Sequence, residues 1–257
     1  TLIIFMKSNK IFIVLLIISS FISCNNEDDN PKQEQEIINP CQKLYKKQTL
    51  YELGSPTFIN EVFYDSASRI DSISQFDVTT DVSIHYKVSY EENVISKIQH
   101  EIIYNFNPTL DQVIVYDDID ITNSNIILNS SNSERKIEIN YTDIYVDKTK
   151  EYYSQNPPSF SEQTFSRNGQ NQIISNTAFG NTYSYSNHVN GENNDLVGIG
   201  IINDLPNILL IFKLRLSSST PLTVGMTDLN IEFENNSCII KSIKDENRYK
   251  VYEYINP

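Results

Sequence analysis

The groups in this chain that could move protons are three histidines, His85, His100 and His188, and 33 acidic residues. General acid–base catalysis needs such groups to converge within hydrogen-bonding reach of one substrate atom. The alternation around His85 sets it on the polar side of a strand with Ser83, Lys87 and Ser89. His100 falls with Ile98, Ile102 and Tyr104, on the side a strand buries, and reads as a core polar group. His188 precedes Asn190-Gly191 and reads as a loop residue. No HExxH, GxSxG or CxxC stretch occurs, which removes the common zinc-protease, nucleophile-elbow and dithiol signatures. No catalytic residue is assigned.

The acids group most densely in "DQVIVYDDIDITNSN" (111–125), where Asp118 and Asp120 share one strand face, Asp117 takes the other, and Asn123 and Asn125 follow. Calcium favours such oxygens, but an EF-type loop needs a central glycine and a closing glutamate that are missing here. A charged, solvent-facing edge is the expected reading, with no metal and no cofactor. Glycoside hydrolysis needs two carboxylates about 5 to 10 Å apart in a cleft. Among 33 acids no spacing singles out such a pair.

The remaining chemistry is that of cysteine. Met6, Lys7 and Lys10 open a short cationic segment, and Ile11 to Phe21 is an uncharged, mostly apolar run well short of the ~20 residues of a spanning helix. It ends on Phe21-Ile22-Ser23-Cys24, which resembles the bacterial lipobox, with Phe21 where leucine is usual, as in the looser lipoboxes of Bacteroidetes-type bacteria. The resemblance implies cleavage between Ser23 and Cys24 and acylation of the Cys24 thiol. Two or more acyl chains hold a protein on a membrane without spanning it.

Cys41 and Cys238 stand near the two ends of the remaining chain. Outside the cytoplasm they are either a disulfide, commonly worth about 2 to 4 kcal/mol, or two buried thiols.

Residues 1–23 thus read as a signal peptide starting at Met6, 24–40 as a lipidated N-terminus with an acidic disordered tether, and 41–257 as one β domain. The tether, with five acids and one lysine, has a flexible-chain reach of roughly 20 to 25 Å. Within it Glu27, Asp28 and Asp29 resemble the acidic surface-export signals of Bacteroidetes lipoproteins; an ordinary solvated linker looks the same.

Beyond residue 40 the sequence must position whatever it carries on strands. In "VSIHYKVSY", Val82, Ile84, Tyr86, Val88 and Tyr90 alternate with polar residues, the mark of a half-buried antiparallel strand. "KIEINYTDIYV" continues the pattern through Ile137, Ile139, Tyr141 and Tyr145, and "IFKLRL" through Phe212, Leu214 and Leu216; no helical stripe of useful length appears. Turn-forming clusters punctuate these runs at hairpin spacing, giving an all-β antiparallel meander of roughly 12 to 16 strands.

A weak repeat runs through it: "VFYDSASRIDSI" (62–73), "VSYEENVISKI" (88–98) and "IEFENNSCIIKSI" (231–243) each read apolar, x, aromatic, acid, polar turn, returning strand. The first is similar to the tyrosine-aspartate (YD) repeat, with Ser68 where that repeat has glycine. Glu91 and Glu234 replace its aspartate and Phe233 its tyrosine. The order of features resembles uncharacterised Bacteroidetes lipoproteins built of such hairpins, which implies a large curved sheet, rolled or barrel-like, and implies no activity.

The net charge of -13 disfavours nucleic acid. Asp65-Ser66-Ala67 and Asp71-Ser72-Ile73 resemble O-glycosylation sites of the same bacteria, at Ser66 and Ser72. Tyr152, Tyr153, Tyr183, Tyr185, Tyr249, Tyr252 and Tyr254 either present rings to a sugar or partner or pack across strands. The expected function is that of a non-enzymatic outer-membrane lipoprotein binding a glycan or a protein. A carrier of an apolar ligand and, last, a carboxylate-pair hydrolase are the alternatives.

Overall fold

The unbroken alternation of residues 82–91 becomes a strand whose burial alternates with it: Tyr86 and Val88 are buried while Lys87 and Ser89 are exposed. A computed structural model describes residues 44–178, 180–185, 187–189, 205–217, 220–222, 230–233, 240–244 and 248–256. Cys24, Cys41, Cys238, Ser23, Glu27, Asp28, Asp29 and Glu234 lie outside the described residues.

Seventeen strands occur among them: β1 (Leu44–Glu52), β2 (Ser55–Tyr64), β3 (Ile70–Asp77), β4 (Val82–Glu91), β5 (Val94–Tyr104), β6 (Gln112–Ile121), β7 (Asn125–Ser130), β8 (Lys136–Thr142), β9 (Tyr145–Gln155), β10 (Pro158–Arg167), β11 (Ile173–Ala178), β12 (Asn181–Ser184), β13 (Asn187–Val189), β14 (Thr220–Leu222), β15 (Asn230–Phe233), β16 (Ile240–Lys244) and β17 (Arg248–Ile255). Fifteen form one sheet in the order β12 back to β1, then β17, β16, β15, and β13 pairs with β14 apart. The ladders are antiparallel, so the expected meander is what the chain forms. The end strands β12 and β15 are not joined, which leaves the sheet open among the described residues.

A twisted sheet rarely exceeds ~10 strands without curling. Here a register shift sits at the same place in five successive hairpins: Phe63/Tyr64, Ser89/Tyr90, Tyr116/Asp118, Asn140/Tyr141 and Ser166/Arg167. Bulges bend a strand and raise its twist, so repeating one in each hairpin curls the sheet toward one face. That face buries one cluster running from Val62 and Ile73 through Ile98, Leu128 and Ile139 to Ile173.

The structure corrects three expectations. "KIEINYTDIYV" is a hairpin, because Asp143-Ile144 makes a tight turn with Asp143 at φ 57 and Thr142 pairs with Tyr145. "IFKLRL" is not a strand: a helix, α1 (Leu205–Ile211), ends at its first residue, and only Arg215 makes a bridge, to Tyr145. Leu205, Ile208 and Leu209 fall at helical spacing and are buried, and Pro206 sits in the first turn, where its missing N–H costs nothing. The strand number exceeds the expected range because several strands are only three or four residues long.

Candidate functional site

The convex face of the sheet is charged. Glu138, Lys150 and Glu162 stand side by side across β8, β9 and β10. Lys136 lies 2.6 Å from Glu138, Lys148 2.9 Å from Glu162, and Lys47 2.7 Å from Glu61. A membrane-spanning barrel turns an apolar band outward. A face built of lysine–glutamate ladders is a water-facing one, and opposite charges in adjacent strands favour each other in register.

At one end of the sheet, where β2–β3, β4–β5, β6–β7, β8–β9 and β10–β11 turn, tyrosines clip three of these five hairpins to the strand or turn before them. The Tyr64 hydroxyl donates to the Tyr45 carbonyl at 2.6 Å, Tyr90 to Ile70 at 2.9 Å and Tyr141 to Thr122 at 2.5 Å. Burial pushes the Tyr64 hydroxyl up to about 12. Arg69 spreads over the Tyr90 ring at 4.3 Å and reaches Asp65 at 2.7 Å, and its side-chain bond holds the Asp65 carboxyl below the usual range. Arg167 ties this end to the segment after α1, bonding to Asp147 and to the carbonyls of Val146, Tyr145 and Leu216. These bonds are spent on the fold.

The concave face has two polar interruptions. One is a row across β1, β2 and β3: Gln48 faces Asn60, which faces Gln75. The other is a block on β9 and β10, where Glu151 faces Ser161 and Thr149 faces Gln163, with exposures of 4%, 4%, 1% and 0%. Ile137 and Ile139 flank it on β8 and Ala178 on β11. Arg135, from the β7–β8 turn, lies 3.2 Å from Glu151 and 4.6 Å from the Tyr153 ring centre, and the Tyr153 hydroxyl donates to Glu151 at 3.5 Å. The Ser161 and Thr149 hydroxyls have no hydrogen-bond partner among the described residues. Buried hydroxyls are nearly always bonded, and an ordered water meets such a need as readily as a ligand, here as at the amides of Asn60, Asn176 and Asn207. The block lies toward the end opposite the tyrosine clips, beside the β9–β10 hairpin, where Tyr153 is 40% exposed. One carboxylate paired with one guanidinium, an amide and two hydroxyls make a polar patch in the otherwise apolar face.

Of these residues sequence reasoning singled out Tyr153 alone, and not Arg135, Thr149, Glu151, Ser161 or Gln163. "DKTKEYYSQ" is polar on both sides and looks like a solvated edge. Its one signal is its place between "KIEINYT", which buries Ile137 and Ile139, and the polar "SEQTFSR" that pairs with it.

The residues nominated from sequence are scattered. His85 is half-buried on the convex side of β4, and His100, 1% exposed on β5, stacks on Tyr86 with centroids 4.5 Å apart. His188 lies on β13. Asp118 accepts from Asn129 at 2.9 Å and Asp117 from Ser131 at 2.8 Å, so both carboxylates bind the neighbouring turn and strand. Ser66 is exposed in the β2–β3 turn, and Ser72 is half-buried on β3 with its hydroxyl on Asp71 at 3.2 Å. Of the tyrosines, Tyr185 and Tyr252 are buried, Tyr249 stacks on Tyr51, Tyr254 packs on Tyr45, and Tyr153 and Tyr183 are exposed.

The fold defines the class: an all-β protein built as one open antiparallel meander. No protein-family model matches the sequence. No curated protein matches it either. Among solved structures it is similar to the crystal structure of a porin-like protein from Bacteroides uniformis ATCC 8492, at 13% identity and a TM-score of 0.48, over 82% of this chain and 98% of that one.

Proposed function

We propose that this chain is a lipid-anchored protein of the bacterial outer membrane that binds a glycan without transforming it. The observation that carries the reading is the buried polar block of β9 and β10. A carboxylate held by Arg135 and Tyr153 is engaged as a hydrogen-bond acceptor and is poorly set to act as a free nucleophile or base. The carrier of an apolar ligand is less well supported, because Leu205, Ile208, Leu209 and Ile211 of α1 pack into the same cluster as Ile139 and Ile173.

The anchor in this reading is Cys24, acylated after cleavage at Ser23. The chain enters the sheet at Leu44, which pairs with Ile255 at the tyrosine end. In this reading residues 24–40 are the tether that precedes the β domain. Glu27, Asp28 and Asp29 serve as the surface-export signal, and the hairpins belong to the YD-like type.

Cys41 and Cys238 form a disulfide in this account. Cys41 closely precedes Leu44, and Cys238 lies between Phe233 and Ile240, strand ends that fall at the same end of the sheet on β1, β15 and β16. Ser66 remains the better-exposed of the two glycosylation candidates.

The test is a saccharide array and a pull-down with the full chain, beside membrane fractionation of Cys24→Ala. Saccharide binding and release of the variant into the soluble fraction are expected. Capture of a protein with no saccharide bound would replace the glycan reading, and a variant that stays on the membrane and takes up labelled lipid would end the anchoring one.

A further inference from the structure

We infer that Asn168 is a self-modification site, deamidated to aspartate in the folded chain through the backbone nitrogen of its neighbour, Gly169. The step needs an amide carbon that the next backbone nitrogen can reach, and glycine offers that nitrogen with no Cβ in the way. In the β10–β11 turn Gly169 and Gln170 face solvent. The Gly169 N–H makes no hydrogen bond among the described residues, so no partner holds it back. Nor does the fold need a glycine there. A Cβ on Gly169 would meet nothing within 4 Å, and its φ lies outside the left-handed region. The β2–β3 turn, closed by the same backbone bonds, has the exposed Ser66 at that place.

The asparagine side chain is placed for the reaction. Its Oδ1 accepts from the backbone N–H groups of Gln170 at 2.9 Å and Gln172 at 3.0 Å, and its Nδ2 donates to Gln172 Oε1 at 2.9 Å. When the Gly169 nitrogen, its proton taken by hydroxide, bonds to Cγ, the negative charge moves to Oδ1, where those two N–H groups meet it as an oxyanion hole does. Nδ2 takes a proton from water and leaves as ammonia; the Cγ–Nδ2 bond breaks and a cyclic imide remains. Water opens the imide at Cγ, breaking the new bond to give aspartate, or at the main-chain carbonyl, breaking the old one to give isoaspartate. One water is consumed and one ammonia released, with nothing oxidised. The aspartate product has a template in this fold, because Asp65 holds the twin turn through the same two acceptor contacts. Isoaspartate would insert a carbon into the main chain of a turn that Asn168 N–H closes on the Gln172 carbonyl and Asn171 N–H on the Asn168 carbonyl, each at 3.0 Å. The closed turn therefore favours aspartate.

The experiment ages the full chain, folded, at mildly alkaline pH beside a free peptide of residues 164–173. Tandem mass spectrometry follows the exchange of amide for acid and separates Asn168 from the Asn190-Gly191 step. Asn168 should convert in the folded chain at a rate within about tenfold of that in the peptide, and with a larger share of aspartate over isoaspartate. Gly169→Ser, which copies the β2–β3 turn, should melt as the parent does and convert at least about tenfold more slowly. A folded chain slower than the peptide by more than about tenfold would overturn the site. The same product mixture in chain and peptide would overturn the part given to the closed turn. A Gly169→Ser variant that melts well below the parent would show a glycine kept for the fold, and one that converts as fast as the parent would take the glycine out of the reaction; either overturns the assignment of Gly169.

Discussion

Asp65 and Asn168 hold the same turn in two hairpins far apart in sequence. The Asp65 side chain accepts from the backbone N–H groups of Ala67 at 2.8 Å and Arg69 at 3.0 Å, and that of Asn168 from Gln170 at 2.9 Å and Gln172 at 3.0 Å. Each turn is closed by the same two backbone bonds, and each puts its fourth residue, Ser68 or Asn171, in the left-handed region, with φ 57 and 59. One needs a carboxylate and the other an amide because only an acceptor oxygen is required. Together with the repeated bulge, this identifies a two-strand unit with a period of about 25 residues, of which β2–β3 and β10–β11 are copies.

Asn168→Ala removes the one side-chain oxygen that accepts both N–H bonds of the β10–β11 turn while leaving its backbone bonds. A loss of about 1 kcal/mol is expected, which for a domain of this size lowers the melting temperature by roughly 2–4 °C. Asn168→Asp keeps the acceptor and should melt close to the parent. Thermal unfolding followed by circular dichroism reads the difference, and equal melting of Ala and Asp variants would show that the backbone alone holds the turn.

Acid should weaken the β2–β3 turn and not its twin. The Asp65 carboxyl is held below its ordinary value by the Arg69 side chain first and by the Arg69 backbone N–H next. In the unfolded chain it titrates at about 3.9. Because the folded value is the lower one, its contribution is complete above that pH and is lost as pH falls through the folded value. The stability difference between parent and Asp65→Asn should therefore be widest near neutrality and narrow below about pH 4. Denaturant titrations across that range measure it, and a difference that does not change with pH would separate the Arg69 pair from stability.

The tyrosine clips should act independently. Tyr64→Phe, Tyr90→Phe and Tyr141→Phe each delete one hydroxyl-to-carbonyl bond and keep the ring, at about 1 kcal/mol apiece. They lie on β2, β4 and β8, at least two strands apart, or roughly 10 Å, beyond the range at which mutational effects couple strongly. The triple variant should lose about the sum in a urea titration. A loss much larger than the sum would mean that the clips lock neighbouring hairpins cooperatively.

The fold was legible where a strand has one wet face. Val82 to Tyr90 and Lys136 to Tyr141 alternate because water lies on one side and the curled interior on the other. The hairpin repeat was visible at Tyr64 and Tyr90, where an acid follows the aromatic. At Tyr116 it was hidden by Asp117-Asp118, which look like metal ligands until the bulge after Tyr116 turns them onto Ser131 and Asn129. At Asn168 it was hidden because an amide replaces the acid. The polar block was illegible for a different reason: Thr149 and Glu151 on one strand have the composition of a solvated edge, and only the curl of the sheet, a property of many hairpins together, buries them. Helix α1 was missed because seven residues are too short to display a stripe, and its burial on nearly all sides leaves no polar face to mark one.

Arg167 joins the meander to the segment behind α1, and its removal should free that segment. Its guanidinium, on a side chain 9% exposed, bonds to Asp147 and to three carbonyls, of which Leu216 lies at 3.5 Å and Tyr145 at 3.4 Å. Burial pulls its affinity for the proton down, with Asp147 opposing, yet an arginine stays charged there. Arg167→Ala leaves these acceptors unmet and should cost about 2–3 kcal/mol, as for hydrogen bonds to a charged group. Arg167→Lys keeps the charge but not the planar fork, which can serve several acceptors at once, and should recover less than half of that loss. Hydrogen exchange locates the effect: amides of Phe212, Lys213, Leu214 and Arg215, bonded to Ile208, Leu210, Leu209 and Ile144, should lose protection before those of β4 and β5. Uniform loss of protection across the sheet would instead make Arg167 part of the global core.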